Sequence, residues 1–162
     1  MYMKLLLSLL LLNSALFAKE IKNLTQDHIY KVGESVLDFT LQSQHDRLLS
    51  LKPTTKYLWI TYDKLSTRKQ NLFVAKRKGF LEKTQSILIA DMSVAPSGIF
   101  TFFIHPRMKR FPHQLLYSFD INLSKSFPYK ENHITIMKLK NKVVKEIVFI
   151  NSEEDLEKMF DK

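Results

Sequence analysis

The 162-residue chain contains no cysteine. That excludes a disulfide scaffold, a thiolate metal site and every thiol redox step, thiol-disulfide exchange and cysteine peroxidase chemistry included. Glycine is almost as scarce. Only Gly33, Gly79 and Gly98 occur, so no glycine-rich loop is there to cradle phosphate, and nucleotide or flavin binding through such a loop has no support. The five histidines, His28, His45, His105, His113 and His133, lie far apart, without the H-x-H or H-x-x-x-H spacing of a local metal site. No cofactor is expected. Long apolar runs are short of the about 20 residues a bilayer-crossing helix needs, because the run Leu5 to Leu12 breaks at Asn13.

What is present begins with MYMKLLLSLLLLNSALFA, residues 1–18. Lys4, the apolar run and the small residues before Ala18 read as a secretory signal peptide cut after Ala18. Leu16, three residues before the end of that segment, is larger than a cleavage site prefers, so an uncut segment acting as a tether is the alternative. Residues 19–32 are polar with scattered apolar positions and form a lead-in arm, and 33–162 are the size of one domain. Export places the protein in the periplasm. There its formal net charge of +9 favours an envelope protein or an anionic envelope surface as partner. Membrane contact is then peripheral, or made through an uncleaved signal segment. Export also argues against nucleic acid, and most of the 12 Phe, six Tyr and single Trp fall at core positions of the expected elements, where they cannot stack on bases.

Hydrophobic periodicity gives the order of elements. VLDFTL, residues 36–41, alternates with Leu37, Phe39 and Leu41 on one face, which predicts a half-covered strand, and LLSL after a polar break predicts its hairpin partner. KYLWITY and SILIADM are continuous enough to be strands covered on both faces. Between them Thr67 and Gln70 have capping-box spacing, followed by Leu72, Phe73, Ala75 and Phe80 as an apolar stripe with Arg68, Lys69, Lys76 and Arg77 on the wet side. Gly79 ends that helix. Pro96 opens a second helix with Ile99, Phe100, Phe103 and Ile104 facing inward, and Pro106 kinks or stops it. QLLYSFD is a third core strand, and HITIMKL with VVKEIVFI is a closing hairpin. A last helix is capped through Asn151 and Glu154 or through Ser152 and Asp155. Strands alternating with helices and then a hairpin predict an α/β fold with a mixed central sheet, helices on both faces and an N-terminal β-hairpin.

This arrangement resembles the thioredoxin-like fold, in the variant shared by peroxiredoxins and TlpA-type periplasmic thioredoxins. The likeness is carried by Gly33 with SVLDFTLQSQHDRLLSL, KYLWITYD, FPHQLLYSFDINLSKSFPY and HITIMKLKNKVVKEIVFI, and it spans about residues 33–160. It implies a three-layer thioredoxin-like domain. In the redox members the core strand runs into Cys-x-x-Cys or a lone cysteine at a helix start, and those slots fall near Ser66 and Lys69 here. The family's cis-proline position falls near Asn132 or His133. With neither sulfur nor proline in place, the resemblance implies a redox-inactive relative.

Other chemistry is limited to a few constellations. Ser66 and Lys69 have the i, i+3 spacing of a serine nucleophile and lysine base, with Asp63 beside them, against the simpler reading that Ser66 or Thr67 caps the helix. His113 and His133 are metal-ligand candidates only if folding brings them together with Asp63. Asp63, Asp91 and Asp120 each follow an expected strand, where aspartate is a routine turn residue. The reading favoured is a non-enzymatic exported binding module whose cleft surface is Asp63, Ser66, Thr67 and His133. The alternatives are a non-thiol hydrolase at the strand-helix junction, and a metal or haem carrier using histidines with Met92 or Met108.

Overall fold

The structure is a computed structural model that describes residues 28–161. The expected signal peptide and the first part of the arm lie outside the described residues. The elements are β1 (Thr40–Ser43), β2 (Leu48–Ser50), β3 (Tyr57–Thr61), α1 (Lys64–Ala75), α2 (Phe80–Thr84) and β4 (Ser86–Asp91). There follow α3 (97–108), β5 (Leu116–Ser118), α4 (Ile121–Ser126), β6 (Ile134–Lys140), β7 (Val143–Ile150) and α5 (Glu153–Phe160). The strands form one seven-stranded sheet in the order β2-β1-β5-β4-β3-β6-β7. β3, β4 and β5 run parallel, in register Ile60 to Ile89 and Ile89 to Leu116, and β6 lies antiparallel to β3 with Ile60 opposite Thr135. The three parallel strands therefore end at one edge of the sheet, where β6 begins.

Alternation along the central strands sends side chains to two cores, as a sheet covered on both faces requires. On one side Trp59, Leu88, Ala90, Tyr117 and Ile136 meet Phe73 and Val74 of α1, Phe100 and Ile104 of α3, and Leu156 of α5. On the other, Leu58, Ile60, Ile89, Leu116 and Met137 meet Phe39, Leu123 and Phe127. Trp59 is fully buried, stacked on Phe160 at 4.9 Å and edge-on to Phe80 at 5.8 Å. Burial of each such ring contributes about 2 to 3 kcal/mol.

Several local expectations are corrected. The alternation of residues 36–41 breaks down: Val36 and Phe39 are buried while Leu37 is 53% exposed, because the chain reaches β1 by an irregular approach held to β7 through Ser35 and Val143. α1 starts at Lys64, three residues before the expected capping box, since Asp63 is the better cap. Leu72 consequently points outward, and Ser66, Thr67, Gln70 and Asn71 point in. Pro106 does not stop α3. A π-type turn over Phe100–Ile104 precedes it and widens the helix, which turns Phe100 and Ile104 to the core and leaves Ile99 and Phe103 outside. Gly79, at φ +70°, separates α1 from the short α2. Of the two caps open for the last helix, Ser152 is the one formed, its Oγ accepting from the Asp155 amide at 3.1 Å. α4 has no counterpart among the expected elements, six residues being too short for a periodic apolar signal.

Candidate functional site

The junction of β3 and α1 is built from the backbone outward. Asp63 is extended (φ −135°, ψ 163°), and its Oδ1 accepts from the amides of Leu65 at 2.9 Å and Ser66 at 2.8 Å. Two of the four orphan amides at this helix start, and part of its positive dipole end, are thus taken by the chain's own carboxylate. The Ser66 hydroxyl donates to Asp63 Oδ2 at 2.7 Å. Thr67 donates to the Asp63 carbonyl at 2.7 Å, and its oxygen lies 2.9 Å from the Thr61 hydroxyl. Ser66 and Thr67 are both buried. The carboxylate is already engaged by two helix amides, and a nucleophile also needs access. The arrangement works as a helix cap.

The other candidates are placed apart from this pair. Lys69 is exposed and donates to the Asn151 carbonyl at 2.6 Å, tying α1 to the lead-in of α5. His133 precedes β6 at the same sheet edge as Asp63, with Nδ1 2.6 Å from the Glu131 carbonyl oxygen. His113 sits before β5, toward the amino end of the parallel strands, with Nε2 2.7 Å from Asn71 Oδ1. Asp63 is thus joined to Ser66 and Thr67, whereas Lys69, His113 and His133 each hydrogen-bond elsewhere. Met92 is buried in the core, and Met108 Sδ lies 3.7 Å from Asn71 Nδ2. Among the described residues no group of three or more histidine or carboxylate side chains is placed to hold a metal ion. Asp91 and Asp120 do the work of turn residues: Asp91 accepts from the Ser93 amide and the Ser124 hydroxyl, and Asp120 caps α4 through the Asn122 amide.

Two features escape a reading by periodicity. The first is a polar seam under α1. Gln70 is fully buried with neither amide atom hydrogen-bonded, and His113 Nδ1, His105 Nδ1 and the Tyr117 hydroxyl are likewise buried without a partner. Burial drives the Tyr117 pKa up and that of His113 down to about 4, with His45 adding to the latter. The second is an apolar rim at the carboxyl ends of the strands. Leu65, Val94, Phe119, Ile121 and Tyr129 are all exposed there, Tyr129 edge-on to Tyr62 at 5.0 Å. The Tyr62 hydroxyl donates to backbone carbonyls at Ser124 and Phe127, and burial raises its pKa, with Asp91 adding to the effect.

No family model matches the sequence, and no curated protein does. Solved structures do match. Peroxidoxin BcpB from Mycobacterium tuberculosis superposes with a TM-score of 0.53 at 14% identity, over 80% of this chain and 94% of that one. The thioredoxin domain of a thiol-disulfide oxidoreductase from Bacteroides vulgatus gives 0.51 at 12%, over 81% and 99%. A thioredoxin-like protein from Bacteroides caccae gives 0.53 at 14%, over 88% and 53%. This chain has the thioredoxin-like fold. Within that fold the helix start is the place of the Cys-x-x-Cys of redox members. α1 begins at Lys64 with Asp63 as its cap, so Ser66 lies in its first turn and Lys69 in its second.

Proposed function

We propose that the protein is exported to the periplasm and serves there as a thioredoxin-like binding module without thiol chemistry, receiving an extended apolar segment of an envelope protein at the carboxyl end of its sheet. One observation carries this reading. Asp63 and Ser66 are engaged with each other, while Leu65 (58% exposed), Phe119 (51%), Ile121 (44%) and Tyr129 (58%) stand open to solvent at the same edge of the sheet. Clustered exposed apolar groups of this size are surfaces for partners, and extended segments commonly bind beside a sheet.

Titration of isotope-labelled protein with short extended apolar peptides tests the site. Amide shifts are expected at Leu65, Phe119, Ile121 and Tyr129 and are expected to vanish in Leu65→Asp/Tyr129→Asp. Shifts centred elsewhere, or none at saturating peptide, refute it. Ester or amide turnover that disappears in Ser66→Ala establishes a hydrolase instead. Export is checked by the first residue of protein recovered from the periplasm, which is Lys19 if cleavage follows Ala18.

A further inference from the structure

Helix α3 presents an outward side that the fold itself does not use. The π-type turn that brings Phe100 and Ile104 to the core leaves Phe102 75% exposed, Phe103 60% and Ile99 50%. Two adjacent phenyl rings standing in water form a ridge, not a groove, so they do not define a pocket for a single side chain. Just after them come Arg107, Lys109 and Arg110, and from Met92 to Phe119 the chain has no Asp or Glu at all. Lys109 pairs with Asp46 at 3.1 Å, whereas Arg107 and Arg110 have no carboxylate partner among the described residues. Protruding aromatic groups beside unpaired cations, with no opposing charge of their own, match a surface that is fluid, apolar within and negative outside.

We infer that the outward side of α3 docks on an anionic lipid bilayer. Phe102, Phe103 and Ile99 enter the boundary between headgroups and acyl chains, and Arg107 and Arg110 meet the lipid phosphates. The ridge shares no residue with the rim proposed for the protein partner, although Phe119 of that rim packs edge-on against Phe100 of α3 at 4.9 Å, so the two surfaces are tested by different substitutions.

The absence of cysteine makes the test position-resolved, because one introduced thiol is the only one to label. Full-length protein carrying an environment-sensitive fluorophore at Thr101→Cys, beside the ridge, is compared with protein labelled at Lys145→Cys on β7. Both are mixed with vesicles of phosphatidylethanolamine and phosphatidylglycerol, or of phosphatidylcholine alone. The Thr101 probe is expected to shift to the blue with the anionic vesicles, to respond far less to the neutral ones, and to be quenched by brominated acyl chains, while the Lys145 probe stays unchanged. Arg107→Gln/Arg110→Gln lowers partition to anionic vesicles about 25-fold, roughly fivefold per cation. Phe102→Ser/Phe103→Ser lowers it at least about tenfold. Because residues 1–18 can enter any bilayer, equal responses at the two labels overturn the proposal, as does a partition unchanged by the arginine substitutions. A Thr101 response that rises with protein concentration in the absence of lipid also overturns it, in favour of a contact between copies.

Discussion

Between about pH 7 and pH 5 the domain is expected to lose stability through His113, well before its carboxylates titrate. Asn71 Oδ1 lies 2.7 Å from His113 Nε2, so that nitrogen carries the hydrogen, and Nδ1 is left bare, buried and without a partner. Protonation adds a second N–H where no acceptor waits, close to His45. Burial and that neighbour together push the pKa down to about 4, against 6.5 in an open chain. As pH falls, the unfolded chain therefore takes the proton first. The stability is complete above about 6.5, declines through the window and is fully lost below about 4. A gap of about 2.5 units at about 1.36 kcal/mol each gives an upper bound near 3.4 kcal/mol. The ring is partly exposed, and solvent screening roughly halves this, leaving about 1 kcal/mol lost by pH 5 and about 1.5 to 2 in all. Asp46, held low by Lys109, and Asp161, held low by Arg77, lose their stabilisation only below 3.8, outside this range. The assay is denaturant unfolding at a series of pH values, read by the single, fully buried Trp59. His113→Gln should flatten the slope between about pH 7 and 5. A wild-type curve flat across that range, or a variant with the same slope, refutes the argument.

Gln70→Leu should stabilise the protein by about 1 to 2 kcal/mol, because a fully buried amide with no hydrogen bond at either end gives way to an apolar side chain of similar volume. A loss of stability in the same unfolding assay contradicts this and places a bridging water at the seam. Asp63→Cys/Ser66→Cys should oxidise to a disulfide, since the two side-chain ends already meet at 2.7 Å, whereas Ser66→Cys/Lys69→Cys should not, one side chain being buried and the other exposed. Thiol titration after oxidation reads the difference, and equal oxidation of both pairs overturns this geometry.

Strands covered on both faces announced themselves as continuous runs of aromatic and β-branched residues, which is why β3 and β4 were placed within a residue or two. The β6-β7 hairpin was equally clear, its short turn flanked by strand-forming runs. Errors arose where side chains compete for the same job. Asp63, Ser66 and Thr67 can all cap a helix, and the three-residue spacing to Gln70 favours Thr67, but only tertiary structure decides that Asp63 is the cap and that Gln70 is buried. In α3 a constant period of 3.6 predicts a single apolar stripe. The π-type turn changes the phase midway, so a stripe that includes Ile99 and Phe103 on paper leaves both in solvent. The polar seam has no linear signature at all. Gln70, Asn71, His105, His113 and Tyr117 come from three elements and the loop before β5.

The self-capped start of α1 bears directly on where function can reside. A helix N-terminus at the end of a core strand offers free amides and a positive dipole end, the two properties that stabilise a thiolate or bind an anion. Here the Asp63 carboxylate takes the amides of Leu65 and Ser66 and also the hydroxyl of Ser66, so the chain supplies its own anion and occupies that position permanently. An exogenous anion has to displace a carboxylate tethered to the same backbone. A serine activated by a base has to give up a hydrogen bond to a group that neither removes its proton nor leaves. What the same edge of the sheet still offers is apolar area at Leu65, Phe119, Ile121 and Tyr129. That area lies on short segments anchored by Asp63, Asp120 and the Tyr62 hydroxyl, so it is positioned firmly without being covered. On the reading proposed above, this junction serves recognition, with Asp63, Ser66 and Thr67 holding the helix start beneath that surface.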